Sequence, residues 1–395
     1  MRRALRLLLA VAGLEGLGHG PVRAQQVRLL VPMDTLIAWA VRDSVDAPAQ
    51  YNVGMGYWLH RDFDRAESHL RRAIAIEPHL AAAYLALSYL PYARRPKLWS
   101  EEDRHKVPAE WQSRVDEAWQ FRRQAFLIDP LVDLKPLALM IVPASALGLR
   151  GNRGAAYTSF MNGLGSFWDG QYGRAADFLH ELAGKVTEAD RQRFASWFLW
   201  YEALAAAHVG DFGLAAGDLR ILLARAEARD TLGGGAMLAF SNANHYRYTL
   251  ACVLDIGGQS QAALLLLQEV ATQDAGLYMA HTRMAGIYDG LHRPVAALEE
   301  RKRAVAANPD DGTLLFELGD ALARAGEFAD AQGALRQARH ANPRNVRALY
   351  LLGMVASQVG DIDEAQDAFR QFLVLAPSRF SDQKAEVTLH LEKLR

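Results

Sequence analysis

Three prolines near the C-terminus, Pro309, Pro343 and Pro377, stand 34 residues apart. Ala297, Ala331 and Ala365 share that interval, and so do Gly319 and Gly353. A period of this length marks a chain made of stacked copies of one small unit, each too small to bury its apolar face alone. Within 312–345, Leu315, Leu318, Gly319 and Leu322 follow helical spacing and Ala325-Gly326 marks a turn. Phe328, Ala331, Leu335 and Ala338 then line one face of a second helix, which Asn342-Pro343 stops. Gly319 and Ala331 are small where the two helices cross, because a large side chain would hold the backbones apart. The expected unit is a helical hairpin.

The hairpin recurs at 346–379, with Gly353, the turn at Gly360, Ala365, Phe369, Phe372 and Pro377. It recurs at 278–311, with Met284, Ala285, Tyr288, Ala297, Ala304 and Pro309. There His292 replaces the turn glycine, and Pro294 opens the second helix at a position that tolerates proline. A further copy lies at 47–80, with Val53, Gly54, Tyr57, Phe63, Ala66, Leu70, Ala73 and Pro78. Fainter copies fall at 156–189 (Gly163, Gly170, Tyr172, Ala175), 196–229 (Ala203, Gly210, Phe212, Ala215) and 243–276 (Leu250, Gly257, Ala262). One copy is split, with its first helix at 81–92 and its second at 115–130. The pattern resembles the tetratricopeptide repeat, a helix–turn–helix unit of this same length. The resemblance implies an all-α, right-handed superhelical solenoid of helix–turn–helix repeats.

The chain divides accordingly. Residues 1–24 read as a secretion signal: Arg2, Arg3 and Arg6 precede the apolar run Leu7 to Leu14, and Val22-Arg23-Ala24 offers a cleavage site. Glu15, close behind that run, fits an amphipathic first helix instead. A lead-in helix at 25–46 precedes N-terminal units at 47–130, interrupted by an inserted stretch at 93–114. An irregular apolar joint follows at 131–155, carrying Pro136, Pro143 and Gly148. Divergent units occupy 156–277, three regular units 278–379, and a capping helix 380–395. In that cap Val387, Leu391 and Leu394 suit the buried side.

Charge and cysteine content narrow the possibilities. A net charge of -1 gives no general attraction to nucleic acid or anionic lipid. The single cysteine, Cys252, excludes an internal disulfide. After signal removal no segment is long enough to span a membrane, since the apolar run 137–149 is short and contains Pro143. His180-Glu181 lacks the second histidine of a zinc protease helix, Gly184 standing there. His208, His245, His281 and His292 are too scattered for a ligand set, so neither a metal nor a cofactor is expected, and no catalytic residue is assigned.

The resemblance further implies that ligands lie on the concave surface formed by the first helix of each unit. Its inward positions fall on Phe160, Phe167 and Trp168, on Trp200 and Tyr201, and on Arg247 and Tyr248. An aromatic-rich groove of this kind suits an extended peptide or a sugar ring. The same side chains would equally serve as core if the array winds tightly or a segment folds into the groove. In the C-terminal units the inward positions are Thr313, Phe316, Glu317, Asp320 and Arg324, then Arg347, Tyr350, Leu351, Met354 and Gln358, which lack the lysine, asparagine and arginine set that the family uses to grip a carboxylate. Trp99 and Trp111, in the basic inserted stretch, are candidates for partner contact or for pinning a surface excursion to the scaffold. The expected function is a non-catalytic scaffold or adaptor in the bacterial cell envelope, binding a partner protein or extended peptide. The alternatives are a carbohydrate or peptidoglycan binder using the same aromatics, or an enzyme with a site near 93–155.

Overall fold

A computed structural model of the chain describes residues 31–94, 107–132, 162–163, 166–167, 170–185, 188–232 and 242–394. Every regular element among them is helical: α1 (Met33–Arg42), α2 (Ala47–Leu59), α3 (Phe63–Ile76), α4 (Ala81–Arg94) and α5 (Ala109–Ile128). After the joint come α6 (Tyr172–Lys185), α7 (Glu188–Val209), α8 (Phe212–Leu232), α9 (Ala243–Ile256) and α10 (Ser260–Gln273). Then follow α11 (Met279–Gly290), α12 (Pro294–Ala307), α13 (Gly312–Arg324), α14 (Phe328–Ala341), α15 (Val346–Val359) and α16 (Ile362–Leu375). A 3-10 turn (Ser378–Phe380) leads into α17 (Ser381–Lys393). Helices pack on their neighbours in sequence on either side of the 133–171 stretch, most closely within the hairpins α2–α3, α4–α5 and α13–α14, so the architecture is a helix–turn–helix solenoid.

Three local devices recur among the hairpins. The first is the cap. Asp311 accepts from Thr313 N–H (2.9 Å) and Leu314 N–H (3.3 Å), and Asn345, one repeat later, accepts from Ala348 N–H. Such caps satisfy amide groups that a helix leaves unpaired at its start. The second is a left-handed residue in the turn: Gly170, Gly210, Gly258, Gly326 and Gly360 all have positive φ. Arg61 (φ 62°) and His292 (φ 57°) hold the same conformation at the equivalent place, against the preference of a side chain. The third is a glycine facing a bulky residue sixteen positions later. A Cβ placed on Gly54, Gly163 or Gly319 would stand 2.9, 2.8 or 2.7 Å from Cγ of Leu70, Leu179 or Leu335, and Gly353 meets Phe369 in the same way.

The 243–276 unit departs from its expected register by one residue. The left-handed turn residue is Gly258, and the fully buried alanine is Ala263. Gly257 instead ends α9 at φ -77°, where an added Cβ would press on Phe212 Cβ at 3.0 Å. At the chain's end Val387 is buried, and Leu391 and Leu394 pack half-buried on the last hairpin.

The array folds back on itself. Tyr89 of α4 meets Tyr201 of α7, hydroxyl to hydroxyl at 3.1 Å. Phe126 of α5 packs edge-on against Trp200, ring centres 5.3 Å apart. Tyr248 O–H donates to Leu127 C=O (2.7 Å), and Arg283 Nη2 donates to Ile128 C=O (2.6 Å). Moving back toward the N-terminus, His79 pairs with Asp311 (2.9 Å) and Asn342 Nδ2 donates to Ile76 C=O (3.0 Å). Finally Asp43 accepts from Ser378 N–H and O–H, and Asp46 pairs with Arg379 (2.9 Å). The N-terminal units therefore run antiparallel to the C-terminal ones. Side chains from distant units cap the carbonyls at the ends of α3 and α5, which their own helices leave open.

Candidate partner-binding surface

The described residues of the aromatic stripe expected to line an open groove lie inside the molecule. Trp200 and Tyr248 are 1 % exposed, as is Phe167; Tyr201 and Arg247 are 5 % exposed. The cause is the fold-back, which lays α4 and α5 across the inward side of α7, α9 and α11. Trp200 is held between Phe126 and Tyr246, at 5.3 and 5.8 Å between ring centres. Phe167 stands edge-on to Tyr172 and Tyr201. Burial pushes the Tyr201 and Tyr248 phenols well above their ordinary range. Arg247 spends its charge locally, on Asn244, Gln273 (3.0 Å), Glu227 and Glu269 (3.2 Å). Side chains this deeply buried leave no face for a peptide or sugar, so these five residues act as core in this conformation.

The other sequence candidates fare differently. Phe160, Trp168 and Trp99 lie outside the described residues. Trp111 sits in the first turns of α5, half-buried, with the Arg114 guanidinium 5.6 Å above its ring. Beside it an open concavity of about 590 Å³ is lined by His60, Arg61, Asp62, Phe63, Asp64, Arg94 and Arg114. Arg94 is paired there with Asp64 (2.6 Å) and Glu67 (2.9 Å).

Among the described residues the inward face is closed at the middle units and partly open toward the C-terminal end. Phe316, Glu317, Asp320, Tyr350, Leu351 and Met354 are all half-buried, whereas the middle units bury theirs. Tyr350 donates to Glu386 Oε2 of the capping helix at 2.8 Å and leans on Phe372. Burial raises the Glu317 carboxyl, with His79 and Arg301 nearby acting against it. This surface combines apolar side chains with an inward acid at the mouth of the seam.

The residues that close the seam escaped sequence reading as functional. Asp311 caps α13 with Oδ1 and meets His79 with Oδ2. Asn342 accepts from Arg344 N–H with Oδ1 and uses its amide nitrogen for Ile76. The signal was present only as the Asp and Asn of the repeat boundaries, which local capping already explains.

The histidines are likewise occupied. His180 pairs with buried Glu202 and His281 with buried Glu300, both at 2.7 Å. Burial, with Arg123 nearby, pushes His245 down to about 4, and His208 stacks on Tyr172. Among the described residues no group of three or more His, Cys, Asp or Glu is placed to hold a metal, and no helix is long and apolar enough to cross a membrane.

Comparison with known proteins identifies the repeats. The tetratricopeptide repeat family model matches residues 283–331 and 316–380. Among solved structures, the C-terminal part of a TPR repeat-containing protein from Cytophaga hutchinsonii is 15% identical, covering 59% of this chain and 83% of its own, with a TM-score of 0.45. The pilF protein of Pseudomonas aeruginosa is 19% identical, covering 59% of this chain and 97% of its own, with a TM-score of 0.39. A MamA structure is 19% identical over 47% of this chain and 96% of its own, with a TM-score of 0.35. No curated protein matches the chain. Likenesses this low carry no argument about partner or activity.

Proposed function

The chain carries tetratricopeptide repeats, and on that premise we propose that it is a non-catalytic adaptor of the bacterial cell envelope that binds a partner protein or extended peptide. The binding surface is the inward face of α13 and α15. One observation supports this choice over the middle units. The chain's own N-terminal helices fill the inward face at Trp200, Tyr201 and Tyr248, while Phe316, Tyr350, Leu351 and Met354 remain half-exposed. A half-exposed apolar face on a rigid helical hairpin suits a peptide helix or strand that covers it. The burial of Trp200, Tyr201 and Tyr248 also disfavours stacking of a sugar ring on those three. Export rests on Arg2, Arg3, Arg6 and the apolar run ending at Leu14, and mass spectrometry of the mature N-terminus checks cleavage after Ala24.

The test is affinity capture from envelope extract with quantitative mass spectrometry. Leu351→Ala combined with Met354→Ala should abolish enrichment of the partner while leaving the helical signal intact. Tyr201→Phe, which alters only the interior, should leave enrichment unchanged. Capture that is indifferent to the first pair sinks this choice of surface.

A further inference from the structure

We propose that the seam between the N-terminal units and the last three hairpin helices is a reversible closure that controls access to the inward face of α13 and α15. The inference rests on the reading of that face as the partner site.

The two ends of the molecule are held in different ways. One continuous hydrophobic cluster joins α2–α5 to α6–α11, running from Met55 to Ile287. Beyond it the apolar packing separates. The C-terminal hairpins have clusters of their own, built on Leu298, Leu322, Leu335 and Leu352, and on Leu349, Phe369, Phe372 and Val387. At the other end Leu36, Ala40 and Val53 form a small cluster of their own. Among the described residues no hydrophobic cluster spans from 31–132 to 298–394.

What does span that gap is polar. The contacts are His79–Asp311, Asn342 to Ile76 C=O, Ser378 to Asp43, and Arg379–Asp46. Polar groups regain water partners when such contacts part, and exposed ion pairs hold weakly. The Arg379 side chain is 47% exposed, whereas Asp46, His79, Asp311 and Asn342 are largely buried, so Arg379–Asp46 is the outermost of these contacts. Parting an apolar seam, by contrast, puts hydrocarbon into water, with no new partners to offset it. The molecule therefore has one seam welded by aromatics and one held by side-chain polar contacts. The change from one core to the next falls within the α11–α12 hairpin, between Ile287 and Leu298.

The closure bears on the proposed site. His79, in the turn after α3, pairs with Asp311 at the N-terminus of α13 (2.9 Å), so that turn sits at the start of the helix that carries Glu317. Moving that turn away uncovers Glu317 and, with it, the end of the groove that runs on to Tyr350 and Met354. The N-terminal units act as an internal occupant that a partner displaces.

Spin labels measure this directly on the full chain. Val41 and Val374 are 73% and 82% exposed, close in sequence to Asp43 and Ser378 on opposite sides of the seam. Val41→Cys with Val374→Cys, labelled with nitroxide, reports the separation by pulsed electron resonance; buried Cys252 stays unlabelled in the native chain. The expected result is a short distance at low salt. Adding Asp43→Ala and Arg379→Ala should move at least half of the molecules to a longer one. A control pair across the welded seam, Gln120→Cys with Leu265→Cys, should not move. A single short distance, unaffected by the two alanines and by high salt, overturns the closure. The measurement uses no partner. An unmoved distance therefore removes the gate alone, and capture indifferent to Leu351→Ala with Met354→Ala removes the site alone.

Discussion

Replacing Arg283 with methionine should unfasten the helical end on which the fold-back rests. Arg283 reaches from α11 to the last carbonyl of α5, with Nη2 2.6 Å from Ile128 O and Nε 3.1 Å from Tyr248 O. Tyr248 O–H in turn donates a hydrogen bond to Leu127 C=O at 2.7 Å. Burial works against the Arg283 charge, yet Tyr248, Cys252 and Asp129 around it raise its affinity for the proton above the ordinary arginine range. Methionine keeps the apolar stem and removes both donors. A hydrogen bond to a charged group contributes about 1.5–3 kcal/mol, so losing two costs about 3 kcal/mol after some relaxation and entry of water. Tyr248→Phe removes the neutral bond to Leu127 C=O and the charged one from Arg283, and should cost about 2–3 kcal/mol. The double variant should cost less than the sum, because the Arg283–Tyr248 bond is counted in both single variants. Urea unfolding followed by circular dichroism gives the free energies. Hydrogen exchange with mass spectrometry locates the effect, with peptides over 120–128 exchanging about a hundredfold faster. An unchanged midpoint together with unchanged exchange at 120–128 would refute the reasoning, since an arginine on an open surface has no such role.

Four further outcomes are expected. Gly353→Ala should destabilise by about 1–2 kcal/mol in urea. Its Cβ would stand 2.9 Å from Phe369 Cγ, an overpacking that outweighs the gain of about 1 kcal/mol in helix propensity, and Phe369→Leu should recover part of the loss. His292→Gly should stabilise by about 1 kcal/mol and raise the melting temperature, because an exposed side chain at φ 57° is relieved of its steric cost. Asp218 is buried, and burial, with repulsion from Glu202 and Asp211, raises its carboxyl to about 8. The native state then holds a proton that the unfolded chain has released, so stability falls as pH rises from about 4 to about 8. Asp218→Asn should be near neutral at pH 4 and increasingly stabilising up to pH 8, and a gain that is flat in unfolding measurements across that range would contradict the assignment. Burial also pushes the Cys252 thiol up to about 11, so iodoacetamide at pH 8 should label it only in the urea-unfolded chain, as read by intact mass.

The repeat was legible because its constraints are local. Pro309, Pro343 and Pro377, the turn glycines and the small crossing residues each answer to geometry within one hairpin, and the sequence shows them at fixed spacing. His292 was readable as the stand-in for a glycine because Gly326 and Gly360 follow at the same interval. The slip at Gly258 was harder to see, since Gly257 stands beside it and either glycine fits the turn.

The fold-back was not legible, for a physical reason. Trp200, Tyr201 and Tyr248 look the same to sequence reasoning whether a partner or another part of the chain covers them. Asp311 and Asn342 fulfil their local capping duty with one side-chain atom, and nothing in the spacing announces that the other atom bonds to His79 or Ile76. Long-range pairing in a repeat array depends on curvature accumulated over many units, which no single unit encodes.

Hydroxyl-radical footprinting of the native chain, read residue by residue by mass spectrometry, tests the fold-back most directly. Trp39 and Phe328, at 41% and 38% exposed, should be oxidised readily. Trp200, Tyr201 and Tyr248 should be protected as fully as the core residues Phe369 and Phe372 until the chain is unfolded. Oxidation of Trp200, Tyr201 and Tyr248 at the rate of Trp39 would contradict the fold-back and return those aromatics to an open groove.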